Sequence, residues 1–313
     1  MSAKRAKSKR KDVVLPVPLR HLIEFLQGQG RTAALVALTV AVFVGLWYAA
    51  WQEVGEDVLA SQEYWLVQEN VHITPPAPWV HRDVRFEVFR DGSLDGPLSL
   101  MDDDLAQRIA NAFSLHPWVA KVHRVTKRYP AQVEVQLEYR RPVLMVQVSG
   151  ALLAVDAEGV LLPSESRDFS PIEILAYPRL VGVYTAPVGP VGTRWGDARV
   201  LEGAEIAAEL LPTWQQLNLD CIVPSTLVEL GHGDQYAYQL VTKAGTRILW
   251  GRAPSAEIPG EPTAAEKVAW LVNYQRDNGT LEGGDGPQEL DVRTLGSTRR
   301  RARTAHTPQK ALE

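Results

Sequence analysis

Cysteine is nearly absent from this 313-residue sequence, in which Cys221 stands alone. A single cysteine cannot close an intrachain disulfide, and it cannot supply the several thiolates of a structural zinc site. The hydrophobic share of 45% is typical of a globular chain, and the length suffices for two or three modest domains. We therefore expect noncovalent packing to hold these domains together.

Catalytic signatures are missing as well. No HExxH, GxSxG or Walker pattern occurs, so zinc hydrolases, acyl-transfer enzymes of the GxSxG type and nucleoside triphosphatases lack the residues that they require. We interpret His116, His123 and His232 as turn or surface residues. Residues 231–234 (GHGD) favour a hairpin turn over an anion-binding nest, because they lie between two strand patterns. The sequence predicts no enzyme, no catalytic residue, no cofactor and no metal site.

One loop nevertheless has the spacing of a calcium site. Loop positions 1, 3, 5, 9 and 12 carry oxygen-bearing side chains, and Gly96 stands at position 6, as in an EF-hand. The donors are Asp91, Ser93, Asp95, Ser99 and Asp102. Position 12 lacks the usual bidentate Glu, and residues 85–90 alternate like a strand rather than an entering helix. We interpret the segment as a connecting loop, with calcium binding as the alternative.

Positive charge is concentrated at the two ends of the chain. Residues 52–298 hold 20 Lys and Arg against 34 Asp and Glu, a net charge of −14, whereas the whole chain has a net charge of −4. Such an acidic body argues against a nucleic-acid groove, which needs clustered Lys and Arg. The basic residues of the C-terminal end are Arg299, Arg300, Arg301, Arg303 and Lys310.

A long apolar run follows the basic start. Residues 32–51 carry no charge and, as a helix, would cross about 30 Å of hydrocarbon. A cleaved signal peptide is the alternative, but its apolar core has about 7 to 15 residues and ends in small residues. Here the run ends with Trp47, Tyr48 and Trp51, which suit a membrane interface. The sequence predicts one retained transmembrane helix in contact with membrane lipid.

Flanking charge predicts the orientation of this helix. Eight Lys and Arg precede it, and none occurs from Gln52 to His81. Because positively charged flanks stay in the cytoplasm, we expect a cytoplasmic N-terminus and a large extracytoplasmic part. The prolines of residues 74–78 then indicate a stiff linker.

Periodicity predicts a first domain that begins near Val84 with the order strand, helix, strand, strand. Val84, Phe86 and Val88 alternate with charged residues as a strand. A helix follows Asp102, a plausible cap, and its apolar face comprises Leu105, Ile109, Ala112 and Phe113. Residues 119–128 and 133–139 form the next two strands, separated by a turn at Tyr129-Pro130.

Short apolar runs predict a second domain with an antiparallel sheet. The runs are residues 143–148, 152–155, 228–230, 236–241 and 246–250. Two helices interrupt them, and the second has a capping-box pattern at Thr263 and Glu266. We expect the apolar faces of both helices to cover the sheet rather than to bind a cofactor.

These motifs, in this order, resemble the FtsQ/DivIB family of bacterial cell-division proteins. The resemblance rests on Pro117-Trp118-Val119, Arg128-Tyr129-Pro130, residues 138–142 (EYRRP), residues 155–160 (VDAEGV), residues 178–182 (PRLVG), residues 245–251 (GTRILWG), Lys267 and residues 290–293 (LDVR). The implied fold class is α+β, with a single transmembrane helix, a POTRA-like βαββ domain and an antiparallel β-rich domain covered by helices.

The predicted organisation follows from the residues and the resemblance together. It comprises a basic cytoplasmic segment (1–31), a transmembrane helix (32–51), a linker (52–81), a POTRA-like domain (82–142), an FtsQ/DivIB-like β domain (143–295) and a basic disordered tail (296–313). The family's location implies the cell inner membrane, with enrichment at the division septum.

The resemblance implies a non-enzymatic scaffold that recruits and bridges division proteins. Its implied partners are FtsB-like and FtsL-like proteins and the FtsW/FtsI pair, with neither nucleic acid nor a small-molecule substrate. An exposed strand edge can accept a partner's strand. The candidate partner-binding residues are Leu290, Val292, Thr294, Leu295, Trp270 and Tyr274. Completion of the core is an equally good interpretation of these residues.

Two other functions stay open. One is a POTRA-bearing secretion or envelope assembly factor that binds extended polypeptides. Such proteins usually lead into a membrane β-barrel, and the sequence has no train of alternating ten-residue strands with aromatic girdles. The other is a membrane-tethered hydrolase of the cell wall.

Overall fold

A computed structural model describes residues 30–59, 62–92, 94, 96, 98–225, 236–283, 286–294 and 301–302. The chain divides into two compact units, residues 1–64 and residues 65–313. Each unit is described by itself.

The first unit is dominated by one long helix, α1 (Gly30–Leu59). Its segment Leu35–Gln52 has a mean hydropathy of 1.7, and its side chains are exposed, with Phe43 at 68% and Trp47 at 66%. Within the described residues, α1 is the one helix that is long and apolar enough to cross a membrane. The helix predicted over residues 32–51 is confirmed.

The second unit begins with a three-stranded layer in the order β2-β5-β4. Its strands are β2 (Val71–Ile73), β4 (Val119–Arg128) and β5 (Gln132–Tyr139). Strand β2 runs parallel to β5, and β4 runs antiparallel to it. Two helices accompany the layer, α2 (Val84–Asp91) and α3 (Leu105–Ser114), and a small ribbon pairs β1 (Trp65–Leu66) with β3 (Leu98–Ser99).

The strand predicted at Val84, Phe86 and Val88 is wrong, because these residues form α2. Asp83 caps this helix, and its carboxylate accepts a hydrogen bond from the Phe86 amide at 3.0 Å. Val84 and Val88, four residues apart, are buried, whereas Phe86 is 50% exposed. The first strand of the layer is instead β2, within the predicted linker.

The following elements are closer to the predictions. Strands β4 and β5 lie where the sequence predicted them, and the predicted apolar face of α3 is buried. The capping role predicted for Asp102 is wrong, since α3 begins at Leu105 after Asp104. The Asp102 carboxylate instead accepts a hydrogen bond from the Ser99 amide at 3.4 Å.

An eight-stranded sheet in the order β13-β12-β11-β10-β9-β8-β6-β7 forms the rest of the unit. The strands are β6 (Leu144–Val148), β7 (Ala151–Val155), β8 (Arg179–Leu180), β9 (Leu219–Ser225), β10 (Ala237–Thr242), β11 (Arg247–Gly251), β12 (Gln288–Asp291) and β13 (Arg301–Ala302). The sheet is mixed rather than antiparallel throughout, because β6–β8, β8–β9 and β11–β12 are parallel pairs. Such pairs need long connections, which here contain helices. The run predicted at 228–230 lies outside the described residues. The α+β class is confirmed.

Helices α4 (Pro171–Ile174), α5 (Ala198–Leu210) and α6 (Ala264–Asn278) lie in the connections of this sheet. In α6 the predicted capping box is present, with Thr263 and Glu266 bonded reciprocally. The apolar face of α5 is buried in the same core as strands β6, β9 and β10. Both observations agree with helices that cover the sheet.

The apolar core of the three-stranded layer extends onto the eight-stranded sheet. Met145, Leu162 and Phe169, from the connected strands and loops of the eight-stranded sheet, pack in the same cluster as Trp118. The ring centroids of Trp118 and Phe169 are 6.1 Å apart. Burial of these large rings holds the two layers together in the second unit.

Candidate partner-binding surface

Strand β12, which lies between β11 and the two-residue edge strand β13, is the strand on which the predicted partner site depends. It pairs in parallel with β11 through Glu289, Leu290 and Asp291. The Val292 amide donates to the Leu249 carbonyl at 3.2 Å, so Leu290 and Val292 direct their peptide groups toward β11. The alternate residue Glu289 directs its peptide group to the opposite edge, where its register partner is Arg301 of β13.

The structure buries two of the predicted contact residues. Leu290 has 0% exposure and Val292 has 1%, and both belong to the large core of the eight-stranded sheet. Their side chains therefore pack inward. A partner on this edge would meet the main chain of β12 and the side chains of neighbouring residues.

The two predicted aromatic residues lie together on α6. The rings of Trp270 and Tyr274 are stacked, with centroids 5.1 Å apart, and both are partly buried against the core. The Tyr274 hydroxyl accepts a hydrogen bond from the Gln288 amide group at 3.0 Å. Gln288 is the first residue of β12, so Tyr274 holds the start of this strand. Whether this pair also contacts a partner stays a prediction.

A pocket of about 390 Å³ lies at the carboxyl ends of β11 and β12. Its lining includes Thr294, the third predicted contact residue, and the exposed apolar Ile258. The others that line it are Tyr236, Ala237, Gly251, Arg252, Pro259, Gly260, Glu261, Asp291 and Arg293. Leu295, the remaining predicted residue, lies outside the described residues. Sequence reasoning missed this pocket because its walls come from separate parts of the chain.

A buried ion network forms one wall of the pocket. The ammonium of Lys267, a residue with 0% exposure, lies 2.6 Å from the Glu261 carboxylate, which also accepts the Arg252 amide at 3.0 Å. Burial acts to raise the pKa of Glu261, but these hydrogen bonds keep it below its ordinary value. The Lys267 ammonium also lies 5.2 Å from the centroid of the Trp250 ring. The network ties the loop before α6 to β11 and thereby shapes the pocket.

A second polar cluster joins the two layers. Arg82, just before α2, donates from Nε and Nη2 to the two carboxylate oxygens of Asp168, and the Nη2–Oδ2 distance is 2.7 Å. Arg82 also lies 3.5 Å from Glu87, whose other oxygen contacts His116 Nε2 at 3.1 Å. No sequence pattern marked this cluster, because Arg82 and Asp168 are 86 residues apart.

His116 lies in the turn between α3 and β4, which agrees with one of its two predicted places, but its side chain is buried in this cluster rather than at the surface. Its Nδ1 accepts the Trp118 amide at 3.3 Å, which places the proton of the neutral ring on Nε2, toward Glu87. Burial lowers the pKa of His116, against the opposing effect of Glu87. His123 is exposed, as predicted, and His232 lies outside the described residues.

A further ion pair between the layers involves Arg140, the residue after β5. Arg140 Nη1 donates to the buried carboxylate of Asp156 at 2.7 Å. The Asp156 carboxylate in turn accepts the amides of Glu158 and Val160 and so orders the turn after β7. Asp156 is part of the VDAEGV motif, which therefore has a structural role at this junction.

The described residues contain no group of three or more His, Cys, Asp or Glu that could hold a metal ion. Ser93 and Asp95, two donors of the predicted calcium alternative, lie outside those residues. Burial raises the pKa of the Cys221 thiol to about 11, so it stays protonated near neutral pH.

No protein-family model matches the chain. The chain is similar to an FtsQ protein. It is 27% identical over 238 residues to the cell division protein FtsQ of Anaeromyxobacter sp. (strain K), which corresponds to 72% of this chain. The match spans 66% of that protein's length, just under two thirds.

The similarity to FtsQ confirms the resemblance that the order of motifs predicted. Several of those motifs now have physical roles: Trp118 fills the shared core, Asp156 orders a turn, and Lys267 neutralises Glu261. Leu290 fills the core beneath the edge strand. These contacts give the resemblance a structural meaning.

Proposed function

We propose that this chain is a non-enzymatic scaffold of bacterial cell division, anchored in the cell inner membrane by α1. The similarity to an FtsQ protein and the single apolar helix support this proposal. The basic N-terminal segment stays in the cytoplasm, and the second unit acts outside it, at the division septum.

The scaffold binds its partners through the outer edge of β12. The observation that carries this proposal is the direction of the Glu289 peptide group, which faces away from β11 while Leu290 and Val292 secure the strand from the other side. An incoming strand gains main-chain hydrogen bonds at such an edge. The partners that the family resemblance implies are FtsB-like and FtsL-like proteins, which connect the scaffold to the FtsW/FtsI pair.

The pocket beside β12 gives this edge its specificity. It lies at the end of the strand, so a chain paired with β12 passes its rim and presents a side chain to it. The rim combines apolar Ile258 with the charged groups of Arg252 and Arg293. A partially desolvated pocket next to a pairing edge is a typical place for an anchor residue.

A single proline substitution in β12 tests the binding mode. Glu289→Pro removes the outward amide but keeps the hydrogen bonds of Leu290 and Val292 to β11. Glu289→Ala is the matched control, since it removes the side chain and keeps the amide. In cells, we expect Glu289→Pro to lose crosslinking to the FtsB-like partner and Glu289→Ala to retain it. Equal crosslinking by both variants would exclude strand addition at this edge.

Localisation and topology test the broader proposal. A fluorescent fusion should concentrate at midcell, and depletion of the chain should block septation and disperse the FtsB-like partner. A periplasm-active reporter fused to the C-terminus should be active. Normal division after depletion, or a reporter that works only in the cytoplasm, would contradict the proposal.

A further inference from the structure

We propose that β13 (Arg301–Ala302), which belongs to the arginine-rich C-terminal segment, is a built-in strap that occupies the outer edge of β12 and must be displaced before another strand can pair there. The pairing of Arg301–Ala302 with Gln288 and Glu289 is the observation behind this inference. Its consequence for partner binding rests on the proposed function, whereas the strap itself does not.

The strap and a partner strand need the same main-chain groups. Strand β13 is antiparallel to β12, and its Arg301 is the register partner of Glu289. The Glu289 peptide group faces this edge, because Leu290 and Val292 bond to β11. A second chain cannot use that peptide group while β13 holds it, so the two are mutually exclusive.

The pairing is short enough to be reversible. Among the described residues it involves two residue pairs, whereas β9 and β10 are joined by six. A two-residue strand has little stability by itself, and a longer incoming strand would form more main-chain hydrogen bonds. The strap can therefore protect an open sheet edge from unwanted pairing and still yield to a specific partner.

Opposite charge and covalent attachment both favour the strap at this edge. Residues 299–303 contain four arginines, and β12 carries Glu289 and Asp291 in a body with a net charge of −14 over residues 52–298. The short connection from residue 294 to residue 301 raises the effective concentration of the strap at the edge. The attraction between basic strap and acidic edge weakens as salt screens it.

A peptide in trans tests the strap without reference to any partner. The full chain and a variant that ends at residue 295 would be prepared in lipid nanodiscs, and a labelled peptide of residues 296–313 would be the probe. We expect the truncated variant to bind the peptide at least about tenfold more tightly than the full chain, whose own strap competes. Equal binding by the two chains, or no binding to the truncated one, would overturn the strap.

Two peptide variants separate strand pairing from charge attraction. Arg301→Ala and Arg301→Pro each remove one positive charge, but the proline peptide also lacks the main-chain donor that faces Glu289. We expect the alanine peptide to bind within about threefold of the parent and the proline peptide to lose at least tenfold. Equal binding by the two would show that charge alone attracts the segment, and it would refute the paired strap.

The proposed function fails by a different result. If the peptide data are as expected but division proceeds normally after depletion, the scaffold role is wrong and the strap stands as a cover for the edge. If the strap and the scaffold role are both correct, the truncated chain should crosslink more of the FtsB-like partner than the full chain does. Added peptide should then reduce that crosslinking. Partner crosslinking that changes neither on truncation nor on addition of the peptide would contradict displacement of the strap.

Discussion

Arg82 and Asp168 form a bidentate ion pair across the junction between the two layers of the second unit. The Asp168 side chain has 0% exposure and the Arg82 side chain has 13%, so water solvates neither charge well. The same carboxylate accepts the Glu165 amide at 2.9 Å. Together with the shared apolar core, this pair fixes the orientation of the three-stranded layer on the eight-stranded sheet.

Asp168→Asn should destabilise that junction. It keeps the shape of the side chain but removes the buried charge that accepts both Arg82 hydrogen bonds, and it leaves Glu87 and Glu165, each 3.5 Å away, as the anionic partners of Arg82. Loss of one partner of a buried ion pair costs about 3 kcal/mol, and we expect the free energy of unfolding to fall by roughly that amount in urea titrations. Arg128→Gln is the control, because the Arg128–Glu134 pair is exposed and should contribute about 0 to 1 kcal/mol. Equal effects of the two variants would contradict the role of the junction pair.

Acid should weaken the same junction through His116. Burial lowers the pKa of His116 from its ordinary value of 6.5, so the folded chain binds this proton less readily than the unfolded chain. The free energy of unfolding should therefore decrease as the pH falls below about 6.5 toward the lowered pKa, and His116 should have no such effect above it. The groups that face the ring, Glu87, Arg82 and Asp91, remain in the variant described next.

His116→Gln should remove this pH dependence. Glutamine keeps an amide donor for Glu87 and has no titration in this range. Urea titrations at pH 7.5 and pH 5.5 should show a smaller difference for the variant than for the parent chain. His123→Gln, at an exposed position, should leave the difference unchanged. A parent chain with the same stability at both pH values would disprove the assignment.

The comparison of α2 with β4 shows what the sequence could predict. Strand β4 was predicted with its observed limits, because Pro117 ends the preceding helix and the Tyr129-Pro130 turn follows the strand. For α2, Val84, Phe86 and Val88 fit a period of two, but Val84 and Val88 alone also fit a helix. Only the exposure of Phe86 decides between them, and a short segment does not reveal which of its apolar residues points outward.

The candidate site shows a similar limit. The sequence left open whether Leu290 and Val292 complete the core or contact a partner, and the structure buries both side chains. The pairs Arg82–Asp168 and Lys267–Glu261 depend on how distant or turned segments meet in the fold. Single charged residues in a sequence carry no signal of such contacts, so the junction and the pocket wall became visible only with the structure.

Lys267→Met tests the ion network at the pocket. The substitution leaves the buried Glu261 carboxylate with Arg252 as its cationic neighbour and should lower the free energy of unfolding by about 3 kcal/mol. The double variant Lys267→Met/Glu261→Gln should recover part of the loss, since no unpaired carboxylate remains. Thermal and urea unfolding of both variants would measure the difference. A double variant less stable than the single one would contradict this account.

Substitutions of Leu290 test whether its side chain supports β12 from the core or contacts a partner. Leu290→Ala opens a cavity in the core and should lower the free energy of unfolding by about 3 kcal/mol, whereas Glu289→Ala should change it by less than about 0.5 kcal/mol. Leu290→Met keeps the volume and should preserve both stability and partner crosslinking. If Leu290→Met folded normally but lost crosslinking, the leucine side chain itself would recognise the partner. Because this side chain has 0% exposure, we expect the opposite result: the partner reads the edge through its main chain, and Leu290 holds that edge in place.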